Sequence, residues 1–409
     1  MTSGRFAAIA LALLLCVAGS AAFWSAARST AAMDFYQIWI GARMARETRH
    51  FYDPATATRM GETYLRQAIE EGASPLHIAV ARYRRNLEMF STPFLYTIYS
   101  PLRGPYERDL LRFQIVVFVS FLVWVAIFTR LFGWELPASL LLLAFLLLAF
   151  EPLRSDVRVG NVNHVVLALL ALGAGATVKR QFVAAGALLA IATMVKPHVV
   201  LIIPVTYLFW SAQRRWRDLV RHAAGAAIAT AAAVIAGSIY FRSATIWLEW
   251  LNALRAMPRE IVPLEVGNFA LAVVVRERTG LDAALLLLLA GAAALAAVAF
   301  RWKPGSRADA ALIPLGCVLF LLSSPLVWLH YLLLTVPLVI WLLRPAEGSG
   351  VLPRQLAGVV ALALLAVTPW DALMPSVLEV ATFANAGLLI AFVATLHDLA
   401  GDHSSARME

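Results

Sequence analysis

Apolar runs recur along the chain from end to end, and they decide what it can fold into. Phe6 to Trp24, Leu219 to Phe241 and Leu285 to Phe300 each approach the roughly 20 residues that a helix needs to cross the hydrocarbon core of a bilayer. Hydrophobic residues make up 61% of the 409 and charged residues only 14%, with a mean hydropathy of +0.75. A soluble surface cannot be covered with so little polarity. The sequence therefore predicts an all-α polytopic membrane protein, with residues 1–409 forming a single integral membrane domain.

About 12 membrane helices are expected, over 6–24, 109–131, 136–151, 163–178, 181–195, 197–211, 219–241, 282–300, 308–323, 326–343, 354–370 and 377–396. Lys196-Pro197 interrupts an otherwise continuous apolar stretch, so re-entrant or tilted helices compete with simple spans between Val165 and Trp210. Arg5 before the first apolar run gives it some likeness to a signal peptide, with small-residue triplets near Ala21 to Ala27. A retained first helix is the expectation for a chain with so many later spans.

The formal charge of +9 comes from 31 Arg and 3 Lys against 25 acidic residues. Much of it lies in short connections: Lys179-Arg180, then Arg214, Arg215, Arg217 and Arg221, then Arg301, Lys303 and Arg307, then Arg344 and Arg354. The charge reads as an orientation signal and implies no nucleic-acid partner. In this count all of those connections fall on the cytoplasmic side. Residues 25–108, the loop Glu151 to Asn163, the Lys196-Pro197 corner, the loop Arg242 to Leu281, the Ser323-Ser324-Pro325 corner and Trp370-Asp371 then lie outside. Segment 25–108 is the long extracytoplasmic loop. Asp53-Pro54 is an N-cap followed by a first-turn proline, Thr56 to Glu71 reads as a helix and Pro75 to Glu88 as another. Their mixture of aromatics and arginines suits helices at the headgroup level.

Chemistry-bearing residues gather on that outer side. Asp34, in Met33-Asp34-Phe35-Tyr36, is a carboxylate at the mouth of the first apolar run, where an enzyme using a lipid substrate can hold a base. Asp53, Glu151, Asp156 and Glu265 are weaker candidates. A capping reading competes at Asp34: it precedes a helix expected from Phe35, with Gln37 three positions on. Lys196 is a cation in an apolar stretch, suited either to a phosphate or to snorkelling from a helix end. Arg154 and Arg158 share an outer loop with Glu151 and Asp156 and are open both to phosphate binding and to a solvated charge cluster. Gly160-Asn161-Val162-Asn163-His164 places two carboxamides and an imidazole before a membrane helix, and amides match sugar hydroxyls because each both donates and accepts. His330 is expected about five residues into a helix, where a lone histidine is usually structural. Cys16 and Cys317 sit in apolar runs and suggest no disulfide framework. No spacing indicates a metal, and no cofactor is expected.

Taken in order, Asp34-Phe35-Tyr36, Phe51-Tyr52-Asp53-Pro54, Thr92-Pro93-Phe94 with Ser100-Pro101-Leu102, Gly160-Asn161-Val162-Asn163, Lys196-Pro197, Gly267-Asn268 and Ser324-Pro325 with Trp328 and His330 resemble glycosyltransferase family 87. The likeness spans most of the chain. It implies a GT-C-type fold with interfacial helices in the first extracytoplasmic loop, and a mannosyltransferase-like enzyme of the plasma (inner) membrane acting on the outer face. The partners it implies are a polyprenyl-phosphate sugar donor, a lipid or glycan acceptor and membrane lipids. It makes Asp34 the base, with His330 a supporting catalytic group and Lys196 a phosphate contact; Asn161, Asn163, Asn268, Trp328, Arg154 and Arg158 become substrate-binding candidates. Asn161 stands where such proteins commonly have Gln, and Tyr331 where a second His often follows, so donor or acceptor preference is expected to differ. A secondary transporter or lipid flippase is the rival class for such a chain, since it too uses about 12 helices and a few buried charges; a non-catalytic scaffold is a third.

Overall fold

A computed structural model describes residues 3–48, 50–256, 263–264, 267–302, 305–345 and 351–401. Its α-helices run in the order α1 Ser3–Ser29, α2 Met33–Met44, α3 Pro54–Glu70, α4 Pro75–Tyr83, α5 Pro93–Tyr99, α6 Tyr106–Leu131, α7 Leu136–Ala149, α8 Glu151–Val159, α9 Asn163–Val178 and α10 Phe182–Val195. They continue with α11 Ile202–Ala212, α12 Trp216–Phe241, α13 Ile246–Ala256, α14 Leu271–Thr279, α15 Ala284–Ala299, α16 Ser306–Ser323, α17 Val336–Leu342, α18 Val351–Leu365, α19 Thr368–Asp371 and α20 Val377–Gly401. Among the described residues the only β-type pairing is an isolated bridge between Asn268 and Trp328.

The part of α1 from Phe6, with α6, α12 and α20, is long and apolar enough to cross a membrane, and the α7–α8 pair, bent by 61°, makes a fifth crossing if counted as one span. The other apolar helices are shorter, at 10–17 residues. Large apolar side chains remain outward on these helices: Leu14 and Val17 on α1, Ile228, Ile235 and Ile239 on α12, Leu285, Leu286 and Leu289 on α15 are all more than half exposed. In water such faces would drive association; in lipid they are the solvent-facing surface. Lipid also removes the hydrophobic drive for helix pairing, so backbone proximity must supply it. Gly186 and Gly225 do this between α10 and α12: a Cβ at either would lie 2.0 Å from a carbonyl oxygen of the other helix, that of His222 or Val183.

Five local expectations need correction. Asp34 is not an N-cap. Helix α2 begins at Met33, Ala32 is its cap residue with φ 46°, and no side chain caps it, so Asp34 lies inside the first turn. The stretch Glu151 to Asn163 is mostly helix: Pro152 at the helix start favours a new helix after Phe150, whose extended backbone makes the bend. The second loop helix stops at Tyr83, five residues short of Glu88. Residues 326–343 are not one helix, because a 3-10 turn over Leu329–Thr335 precedes α17, which has Pro337 in its first turn. The Arg242 to Leu281 loop also carries α13 and α14.

The Asp53 expectation holds as a cap. Its carboxylate accepts from the Thr56 amide and hydroxyl, both at 2.8 Å, ahead of Pro54. Thr92 caps α5 in the same way, accepting from Leu95 N at 3.1 Å, and its hydroxyl donates to the carbonyl of Met194. That second bond ties the 25–108 segment to the end of α10, two residues before Lys196.

Candidate active site: a polar network from Asp34 to Asp156

Helix α8 ends at Gly160 with φ 72°, a left-handed closure that suits glycine, and the missing side chain also lets α2 approach. A Cβ at Gly160 would lie 2.8 Å from both Ala32 Cβ and Phe35 Cβ. This contact sets the start of α2 against the Gly160-Asn161 turn. Gly160→Ala is therefore expected to cost about 2–4 kcal/mol, from left-handed strain plus a clash, and to separate Asp34 from Asn161. Thermal unfolding of the purified variant checks the first effect and turnover checks the second.

With the helices so placed, one set of hydrogen bonds joins six elements: α2, the end of α4, α8 with its closing turn, α9, the end of α10 and the 3-10 turn before α17. Asn161 Nδ2 donates to Asp34 Oδ2 at 2.8 Å, and Arg84 Nη2 donates to Asp34 Oδ1 at 3.3 Å. Lys196 Nζ donates to Asn161 Oδ1 at 2.8 Å and to Asn163 Oδ1 at 2.5 Å. Asn163 Nδ2 donates to Asp156 Oδ1 at 2.7 Å and to the carbonyl of His330 at 3.1 Å. Two amides thus link two carboxylates to one ammonium. The arrangement uses the dual donor and acceptor character of Asn, and Lys196 sits where α10 breaks at Pro197.

The far end of the network is buried and fixed. Trp124 Nε1 donates to His164 Nδ1 at 3.1 Å. An indole only donates, so the neutral imidazole carries its proton on Nε2, which faces Asp156 Oδ2 at 3.5 Å. Asp156, Asn163 and His164 have no exposed surface, and Lys196 and His330 are 5% exposed. The Asp34 side chain is 28% exposed. It is the carboxylate through which this network reaches its surroundings.

Tyr331 forms the next wall. Lys196 Nζ lies 4.0 Å from the centre of its ring, and the rings of His198 and His330 both stand edge-on to it at 4.8 Å. Among the described residues, His198 Nδ1 and His330 Nε2 are buried without a hydrogen-bond partner. His330 is reached by the network through its backbone, and its ring faces the Tyr331 side.

Four sequence candidates serve elsewhere. Asn268 is fully buried and clamps the Ser324 to Trp328 turn: its Oδ1 accepts from Val327 N at 3.0 Å and Ala270 N at 3.1 Å, and its Nδ2 donates to the Pro325 carbonyl at 3.0 Å. Trp328 pairs with it through the bridge, immediately before the 3-10 turn that presents His330 and Tyr331. Arg154 and Arg158 lie on the face of α8 opposite Asp156, each within reach of Glu151, and Arg154 also donates to the Leu148 carbonyl. Among the weaker base candidates, Asp156 is buried inside the network, Asp53 is a cap, Glu151 pairs with the two arginines, and Glu265 lies outside the described residues. Arg84 was missed. Its only sequence signal is its place in the Arg-rich end of α4, and its contact with Asp34 crosses 50 residues.

An outward carboxylate, oriented by an amide and a guanidinium and backed by a buried cation, can take a proton from a hydroxyl and hold negative charge nearby. The apolar helices define a membrane protein, and this network is its candidate site. The profile of glycosyltransferase family 87 matches residues 92–325, more than half of the chain. The chain belongs to that family and is a glycosyltransferase. The matched stretch contains Asn161, Asn163, Lys196 and Asn268, whereas Asp34, Trp328 and His330 lie outside it. No curated protein and no solved structure matches the chain.

Proposed function

We propose that the protein transfers a hexose such as mannose from a polyprenyl-phosphate donor to a hydroxyl of a lipid or glycan acceptor. The observation that carries the reading is the Asp34 carboxylate, the partly exposed end of a network whose interior holds Lys196. Asp34 takes the acceptor's proton as its oxygen attacks the anomeric carbon. The bond from that carbon to the phosphate oxygen breaks, and polyprenyl phosphate leaves with the electron pair. Lys196 supplies the charge that meets the departing phosphate by exchanging one of its two amide acceptors for a phosphate oxygen. His330 and its neighbour His198 border that space with unpartnered ring nitrogens. Asn161 holds the base, and Asn268 with Trp328 shapes the turn that carries His330. Arg154 and Arg158, on the outer face of α8, suit the periphery of the donor headgroup.

A lipid-linked donor fits a site inside a membrane frame, because the polyprenyl chain stays in the hydrocarbon while its phosphate meets the network. In this reading the protein has the GT-C-type fold with about 12 spans in the plasma membrane. Its site faces away from the cytoplasm, in line with the Arg-rich short loops.

The test incubates purified protein with a panel of polyprenyl-phosphate sugars, a parallel panel of nucleotide sugars, and a membrane lipid extract. A new glycosylated product from a polyprenyl-phosphate sugar is expected. Product from nucleotide sugars alone would remove the donor assignment. Sidedness is tested with single cysteines at Ala79, on the exposed face of α4, and at Ser211, near the end of α11. An impermeant thiol reagent on intact cells should label position 79 and spare 211; the reverse result inverts the topology.

A further inference from the structure

A polar concavity lies at the other end of α2. It encloses about 260 Å³ and is lined by Arg43, Arg46 and Arg103, with Glu47, Tyr64 and Tyr240 among its other walls. Asp34 and Arg43 are nine positions apart on one helix, about 13 Å along its axis at the usual rise, and no lining residue belongs to the Asp34 network.

The charge of this cavity is not balanced by its own carboxylates. Glu47 accepts from the Tyr64 hydroxyl at 3.1 Å. Asp109, beneath the cavity, is shared: it accepts from Trp39 Nε1 at 3.1 Å and Gly104 N at 2.7 Å, and it pairs with Arg112 at 3.2 Å and Arg43 at 3.7 Å. Arg43 donates to the Gly104 carbonyl at 2.6 Å, yet its Nε is buried without a partner among the described residues. Arg103 Nε donates to the Ser100 carbonyl at 3.1 Å. Arg46 stacks 5.2 Å over the Tyr240 ring and makes no hydrogen bond or ion pair among the described residues. Three guanidiniums converge with donor capacity to spare, the arrangement that suits the several oxygens of a phosphate.

The surroundings choose between a free phosphate and one carried by a lipid. Ile228, Ile235 and Ile239 form one stripe along α12, 66%, 57% and 71% exposed, and Tyr240 follows immediately at the cavity wall. An acyl chain lying on that stripe brings its headgroup to the arginines. We infer that this cavity binds the phosphate group of an anionic membrane lipid, in the leaflet that borders the 25–108 segment. The inference is independent of the chemistry assigned to Asp34.

The test is calorimetric titration of the full-length protein in a neutral detergent with dioctanoyl phosphatidic acid, beside inorganic phosphate and dioctanoylglycerol. Phosphatidic acid should bind, with affinity falling as KCl is raised, and about tenfold or more tighter than either comparison ligand. The double variant Arg46→Gln with Arg103→Gln should weaken it by about tenfold or more; Arg43 is left in place because it also holds Gly104 and Asp109. Unchanged affinity in a folded double variant overturns the site. Equal affinity for inorganic phosphate overturns the lipid assignment, and equal affinity for dioctanoylglycerol overturns phosphate recognition. Should the double variant fold poorly, Arg46→Lys serves: it keeps the charge but loses the planar fork, so weakened binding at an unaltered unfolding temperature supports the site. Wild-type binding that is indifferent to KCl overturns it.

Discussion

Asp34→Asn is expected to fold, to bind donor and to turn over about 10²- to 10⁴-fold more slowly, the usual contribution of a positioned base. The substitution keeps the shape of the side chain. Its carbonyl can still accept from Asn161 Nδ2, which at 2.8 Å is the shorter of the two contacts to Asp34. What it loses is the ability to take a proton, together with the ion pair to Arg84. That pair is partly exposed, 18% at Arg84 and 28% at Asp34, so its loss costs about 1 kcal/mol or less. Because Asp34 caps no helix, a fall in turnover cannot be ascribed to a lost cap. Steady-state rates with the donor found in the panel, alongside donor affinity and unfolding temperature, separate the effects. Near-normal turnover by a well-folded variant would sink the assignment and direct attention to Glu265.

How far the sequence foretold this site depends on the range of each signal. Apolar runs report the solvent a helix sees, and Lys196 stood out because a cation in such a run is costly. Asp53 was legible because a cap followed by proline is a local code. The bend at Phe150 and the 3-10 turn before α17 were not, because hydropathy alone does not distinguish a continuous apolar helix from a broken one. Nor was the pairing of Asp34 with Asn161, at a separation of 127 residues, or of Lys196 with two amides 35 and 33 residues away. Gly160 hid in a motif read for its asparagines, although its positive φ and its contact with α2 are what bring those asparagines to Asp34. Asn268 shows the opposite error. A carboxamide that suits sugar hydroxyls suits backbone groups equally well, and only tertiary contacts reveal that it is occupied by a turn.

Lys196→Met is expected to act on both stability and donor binding, since the ammonium that serves the proposed phosphate contact also holds the buried network. Its removal strands Asn163 Oδ1 and takes a positive charge away from Asp156, which has no exposed surface. Losses of this kind cost about 2–4 kcal/mol. Thermal unfolding should show it, and donor affinity should fall by about 100-fold, as for a charged hydrogen-bonding partner. A single variant cannot apportion the two effects. Asp156→Asn added to Lys196→Met removes the stranded negative charge while leaving an oxygen to accept from Asn163 Nδ2. The double variant should therefore recover about half of the lost stability. Donor affinity should stay low, because the cation is still missing, and Asp156→Asn alone sets the baseline for its own effect. If donor affinity returns together with stability, Lys196 serves only to hold the two asparagines, and the departing phosphate must be met by another group, for which the unpartnered nitrogens of His198 and His330 are the nearest alternatives beside Tyr331.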